Sequence, residues 1–143
     1  MSGNVLSLGG SNVIRGSRPA GGGGVAFGVA QAKVFAVTDL TLQSDTPVTG
    51  TGGMSKSGAG TLLENRSVAI SGGLFVNSGV LRSGIANAFS TAQPVAVRAQ
   101  GTFDLNGFNN SITTLQLESG AVSGASVTTG AGILTLGGCH IRR

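Results

Sequence analysis

The sequence predicts an all-β chain wound as a solenoid of short strands. Three observations predict it: a composition hostile to helices, short alternating apolar segments punctuated by glycine, and internal echoes of sequence. Glycine supplies 26 of the 143 residues, charged residues only 10% and aromatic residues only 4%, with neither Trp nor Tyr. Glycine costs roughly 1 kcal/mol per interior helical position relative to alanine. Ser, Thr and Asn compete for backbone hydrogen bonds, whereas Val, Ile and Thr suit a pleated surface. The length fits one domain.

Taken in order, the first element is Leu6-Ser7-Leu8 before Gly9-Gly10, an alternating pair read as a half-buried strand. The run Arg18-Pro19-Ala20 followed by four glycines is the low-complexity stretch of the chain. Arg15 and Arg18 precede it and Ala30-Gln31-Ala32 has the small-x-small form of a cleavage site. Four consecutive glycines make a feeble apolar region for an export signal, so a loop or a decayed rung is the preferred reading. Leu40 and Leu42 flank Thr41, and Val95 and Val97 flank Ala96. The clearest strand is Thr102-Phe103-Asp104-Leu105-Asn106, with Phe103 and Leu105 on the core side. Ile112, Leu115 and Leu117 continue the apolar supply, and Leu134 and Leu136 close it.

Two echoes run through these segments. Val5-Leu6-Ser7-Leu8-Gly9-Gly10 matches Ile133-Leu134-Thr135-Leu136-Gly137-Gly138, and Ser57-Gly58-Ala59-Gly60-Thr61-Leu62 matches Thr129-Gly130-Ala131-Gly132-Ile133-Leu134. They predict that the chain begins and ends at equivalent points of a longer repeat. With rungs of roughly 20 residues, about six to seven coils are expected, cut from a longer repeat array.

At Gly50-Thr51-Gly52-Gly53-Met54-Ser55-Lys56-Ser57-Gly58-Ala59-Gly60-Thr61-Leu62 the chain resembles the autotransporter-associated β-strand repeat of large bacterial passengers, G-x-G-G-L-x-K-x-G-x-G-T-L, with Met54 replacing leucine. Gly73-Leu74-Phe75-Val76-Asn77-Ser78-Gly79-Val80-Leu81 is similar to that family's G-T-T-V-N-x-G-T-L, and Asn87-Ala88-Phe89 to its N-A-L. Thr102-Phe103-Asp104-Leu105-Asn106-Gly107-Phe108-Asn109 is similar to its T-L-D-L-N-G-F-N. The structural motif residues are then Gly52, Gly53, Lys56, Gly58, Gly60, Thr61 and Leu62, followed by Asn77, Gly79 and Leu81, and finally Asp104, Leu105, Asn106 and Gly107. Between the first two blocks, Asn65 to Gly73 lacks the tyrosine of the family's N-T-Y-x-G-G turn.

The resemblance implies a right-handed parallel β-helix, secreted or held at a bacterial surface. Residues 35–138 carry the repeat region, residues 1–34 the N-terminal rungs with their Gly-rich loop, and residues 139–143 an atypical tail. It also implies as partners the neighbouring rungs of a longer passenger and a host-cell or matrix surface. A barrel translocator tying the passenger to the outer membrane is expected, but no such domain lies in these residues.

Other chemistries find little support. The formal charge is +4, but the basic residues Arg15, Arg18, Lys33, Lys56, Arg66, Arg82, Arg98, Arg142 and Arg143 are scattered and no aromatic set suits base stacking. Nucleic acid is therefore not an expected partner. Cys139 and His140 are the sole cysteine and histidine, which leaves no disulfide or metal framework. The acids Asp39, Asp45, Glu64, Asp104 and Glu118 form no close pair in sequence. Asp104, beside an Asn-Gly corner, reads as a turn former, and Asn106, Asn109 and Asn110 as a ladder with asparagines of adjacent coils. The expectation is a structural, adhesive segment that is not an enzyme, with no catalytic, cofactor-binding or metal-binding residues. The alternatives are a carbohydrate-active β-helix enzyme, with a lyase- or hydrolase-like activity, and an incomplete open reading frame without activity of its own.

Overall fold

The structure, a computed structural model, describes residues 4–16, 25–44, 48–89 and 93–137. The Gly-rich run at 18–24 and the tail at 139–143 lie outside the described residues, as does Asp45. Among the described residues every regular element is a strand. They are β1 (Asn4–Ser7), β2 (Asn12–Gly16), β3 (Ala32–Ala36), β4 (Leu40–Ser44), β5 (Val48–Gly50), β6 (Met54–Ser57), β7 (Thr61–Glu64) and β8 (Val68–Ile70). The second half adds β9 (Leu74–Val76), β10 (Gly79–Ser83), β11 (Pro94–Val97), β12 (Gly101–Asp104), β13 (Asn110–Ile112), β14 (Thr114–Leu117), β15 (Ser126–Thr128) and β16 (Leu134–Leu136).

These strands wind into a parallel β-solenoid with three faces. The first face stacks β1, β3, β6, β9, β11 and β14, and the second stacks β2, β4, β7, β10, β12 and β15. The third holds the pairs β5 with β8 and β13 with β16, joined to their surroundings by the single bridges Ala26 to Thr49 and Val68 to Phe89. Every pairing is parallel, as it must be when each strand returns to its face one coil later. Six strands on each of two faces make about five turns, close to the expected count.

The register gives the length of each coil. Val34 pairs with Lys56, 22 residues on, and Leu62 with Leu81, 19 residues on. The first coil is longer: Val5 pairs with Val34 across 29 residues, and the Gly-rich run falls within that interval. Ala32, the last residue of the small-x-small segment, opens β3 with no exposure.

Strand alternation sends one side of each strand into a shared core. On the first face Ala32, Met54, Leu74 and Val95 form one inward column. On the second, Leu40, Leu62, Leu81 and Phe103 form another, all 2% exposed or less. Phe89 comes in from the third face and meets Phe103 edge to face, ring centroids 5.0 Å apart at 65°, a geometry that favours ring quadrupoles. Leu105 and Ile112 are buried as the alternation predicts.

Two expectations are corrected. Leu6 and Leu8 are not half-buried: they are 64% and 63% exposed, and it is Val5 that stands below Val34 in the inward column. The echoes do not mark equivalent points of a repeat. Val5 to Gly10 begins in β1 on the first face, whereas Ile133 to Gly138 contains β16 on the third. Likewise Gly58-Ala59-Gly60 turns from the first face to the second, and Gly130-Ala131-Gly132 from the second to the third. The two stretches are alike because corners ask for the same backbone: Gly58 and Gly130 both have positive φ.

The core assignment predicts that Leu105→Asp, which buries an unpaired charge, lowers stability by about 4 kcal/mol or more. Thr102→Ser, on the outward side of β12, should stay within about 1 kcal/mol. Denaturant unfolding checks both, and equal midpoints would contradict the inward face.

Candidate functional site

Lys56, Gly58 and Gly60 of one coil and Asn77 and Gly79 of the next meet at the corner between the first and second faces. Lys56 belongs to the inward column of the first face, stacked between Val34 and Val76, and its side chain is 1% exposed. A lysine there needs acceptors, and the corner supplies them. Nζ donates to the carbonyl of Gly58 at 2.7 Å and to that of Ser78, one coil on, at 2.9 Å. The Ser78 hydroxyl accepts from the Gly58 N–H at 2.9 Å, and the Asn77 amide donates to Ser57 Oγ at 3.2 Å. One ammonium therefore ties two successive coils through carbonyls that a tight corner would leave unpaired. Burial lowers the Lys56 ammonium to about 8, opposed by the Asp39 charge.

Glycine is required where this corner is tightest. Gly79 has φ +69°, and a Cβ there would strike the Gly58 carbonyl and sit 2.5 Å from Lys56 Nζ. Gly60 presses against the backbone of the preceding coil at Thr38, and Gly52, at the corner from the third face to the first, does so at Val29 and Ala30. Leu62 and Leu81 stack beneath the corner in the buried column of the second face.

The third motif block builds a second corner. Asp104 Oδ1 accepts the Asn106 N–H at 2.9 Å, and its Oδ2 accepts Arg82 Nε at 2.7 Å from the coil below. Burial raises the Asp104 carboxyl, but these donors outweigh it and hold the group below its ordinary value. Asn106, at φ 52°, and Gly107, at φ 81°, make the turn. The asparagines do reach neighbouring coils, though not one another. Asn106 Nδ2 donates to the Ser83 carbonyl at 3.3 Å, and Asn109 Oδ1 accepts from Ile133 N at 2.8 Å. Asn110 Nδ2 donates to Ser83 Oγ at 3.2 Å, and its Oδ1 accepts from Phe89 N at 3.3 Å. The expected asparagine ladder is thus corrected: the coil-to-coil partners are backbone groups and Ser83.

The described acids are dispersed. Asp39 Oδ1 accepts the Thr61 N–H at 2.9 Å, which lowers its carboxyl. Glu118 faces Arg98 at 3.5 Å and accepts from Gln116 at 3.2 Å. Among the described residues no group of three metal-ligating side chains occurs.

Glu64 is the residue that sequence reading missed. It points inward on the second face, its backbone paired with Leu42 and Ser83, with no exposure and with neither carboxyl oxygen bonded. Burial pushes its carboxyl well above the ordinary value. The signal was present: counting by two from Leu62 places Glu64 inside and Leu63 outside. Gln93 is a milder case, its Nε2 donating to the Val68 carbonyl at 2.6 Å while Oε1 has no partner.

Comparison with known proteins gives one relationship. Over 105 residues the chain is 37% identical to the adhesin BmaC autotransporter of Brucella suis biovar 1 (strain 1330). The similarity covers 71% of this chain, and the chain spans about 3% of that protein's length. No family model matches the chain, and no solved structure matches it.

Two outcomes follow from the corner and the buried acid. Gly79→Ala combines left-handed strain with a collision on Lys56 and should cost about 2 kcal/mol or more. Gly124→Ala, which meets nothing within 4 Å, should cost little; calorimetric melting compares the two. For Glu64, the folded-state value is raised, so above pH 4.5, the ordinary carboxyl value, the unfolded chain releases a proton that the folded chain keeps. Stability from this group is full at low pH and is lost as pH rises. Glu64→Gln should therefore gain stability over the parent progressively from pH 4.5 toward neutrality, measured by urea titration across pH; a constant difference would mean an ordinary carboxyl.

Proposed function

Starting from a parallel β-solenoid homologous to a segment of an autotransporter adhesin, we propose that this chain is an adhesive stretch of an autotransporter passenger displayed at the bacterial surface. Its mechanical role is to extend the passenger coil by coil. Its contact role belongs to the outward side chains, which the core does not use.

The observation that carries this reading is what happens to the inward columns at the C-terminal end. Val97 is fully buried, whereas Leu117, its partner one coil later, is 52% exposed. Ile112 is 1% exposed and Leu136, its partner, 38%. The same column position is core where a described coil lies above it and open apolar surface where none does among the described residues. We infer that this stretch belongs to a longer array of coils, because it aligns with about 3% of a much longer adhesin and coils of such an array cover one another. The motif residues of the corner, Lys56 and Gly79 foremost, serve in this reading to lock one coil to the next. A barrel translocator supplied by the same polypeptide would hold the passenger at the outer membrane.

The test is display. The chain is placed within a passenger upstream of a translocator barrel in a non-adherent bacterium. Expected are protease-accessible epitopes on intact cells and increased adherence to host-cell monolayers or matrix-coated wells. Accessible epitopes with unchanged adherence would reject the adhesive role.

A further inference from the structure

The outward side of the first face carries two columns of side chains in register. One runs Lys33, Ser55, Phe75 and Ala96, and the other runs Phe35, Ser57, Asn77 and Arg98. Bulky and small residues alternate between the columns. Phe35 stands on one coil and Phe75 two coils above it, at opposite corners, while the coil between them presents only Ser55 and Ser57. The outcome is a concave notch of about 460 Å³, floored by serines and walled by two aromatic rings. That volume lies within the roughly 300–1,000 Å³ of small-ligand sites. Phe35 is 46% exposed, so much of its ring is offered to solvent rather than used in the core.

We propose that this notch binds a short segment of an anionic glycan, the sugar rings lying on Phe35 and Phe75 and the acidic groups on Lys33 and Arg98. The inference deepens the adhesive reading and rests on it for its biological setting. Four features choose the ligand class. Flat aromatic faces take the C–H faces of pyranose rings. Successive coils lie about 4.8 Å apart, close to the length of one pyranose unit, so two rings two coils apart match a short run of sugars. The polar groups between them, the Ser57 hydroxyl and the Asn77 carboxamide oxygen, suit sugar hydroxyls. Finally, both cations are positive outliers on a sparsely charged face: Lys33 has no acidic partner among the described residues, and Arg98 is only loosely held by Glu118, at 3.5 Å and half-exposed.

The same geometry disfavours two other occupants. A peptide added as a strand needs an open sheet edge, but β3, β6 and β9 are interior strands whose backbone bonds go to neighbouring coils. A nucleic acid draws affinity from many phosphate contacts, and here there are two cations, one already facing Glu118.

The test uses the purified chain and isothermal titration with a heparin-derived oligosaccharide, a polygalacturonate oligomer, sialyllactose and a neutral dextran oligomer, with polyglutamate and a single-stranded oligonucleotide as competing classes. Expected is binding to at least one acidic saccharide and not to dextran, with the responding member separating sulfated, uronate and sialic sources. Phe35→Ala and Phe75→Ala should each weaken it about tenfold or more, and Lys33→Gln severalfold with a shallower salt dependence. Phe108→Ala, a partly exposed ring outside the notch, should leave affinity unchanged, and melting curves confirm that all four variants are folded. Equal binding of acidic and neutral saccharides, binding only of polyglutamate or the oligonucleotide, insensitivity to both phenylalanine changes, or no binding at all would overturn the proposal. The outcome is separable from that of the adhesive reading. Adherent displaying cells unaffected by Phe35→Ala would remove the notch and keep the adhesin, while saccharide binding by a chain that confers no adherence would do the reverse.

Discussion

Everything in this molecule depends on coils stacking in parallel register. Within the stack each inward side chain is covered by the residues at the same position one coil above and one below, so its environment is a column rather than a pocket. Backbone hydrogen bonds run along the same direction, which ties hydrogen bonding and burial to a single alignment. A slip of one residue would turn Leu62, Leu81 and Phe103 outward together. The corners protect the register. At Gly60 and Gly79 the coils approach too closely for a β-carbon, so glycine there is a matter of space as well as of dihedral angle.

Within that frame the two buried charged residues show opposite solutions. Lys56 is long enough to leave its column and reach the corner, where carbonyls of two coils receive it. Its desolvation is offset by bonds that also stitch the stack, and the residue becomes part of the alignment device. Glu64 is shorter and stays within the core, beside Ser83, whose hydroxyl donates to the Ile85 carbonyl at 2.7 Å instead. Burial favours the neutral form of this carboxyl, the cheaper form for an isolated buried acid. The buried ammonium strengthens the coil contact, whereas the buried carboxyl costs stability as pH rises.

Much of the fold was legible in the sequence, and the reasons are local. Glycine and β-branched content excluded helices, and the alternation at Phe103 and Leu105 placed the core side correctly. The family blocks pointed to stacked coils before any pairing was known. The errors have a common physical source. The echoes between residues 5–10 and 133–138 reported a shared need for glycine after a strand, not a shared face. Leu6 and Leu8 were assigned burial because alternation gives a period without giving its phase, and Val5 holds the inward phase. Glu64 was overlooked because its charge was allowed to outvote its position. The notch could not be read at all, since Phe35, Ser57 and Phe75 meet only through pairing across two coils.

Division of labour between the two sides of each strand explains how such an array can carry function without losing its fold. The ladder is made by backbone groups, and the core by inward columns, so an outward residue contributes to neither. Phe89 and Phe103 show what aromatic rings do when stability places them: both are buried and packed edge to face. Phe35 is of the same residue type yet stands nearly half in solvent above serines, where it removes little apolar area from water. An aromatic ring in that position, in a chain with only six phenylalanines and no other aromatic residue, contributes little to holding the coils together. Stacking leaves its identity free, and contact with something outside the solenoid is the constraint that remains to select it.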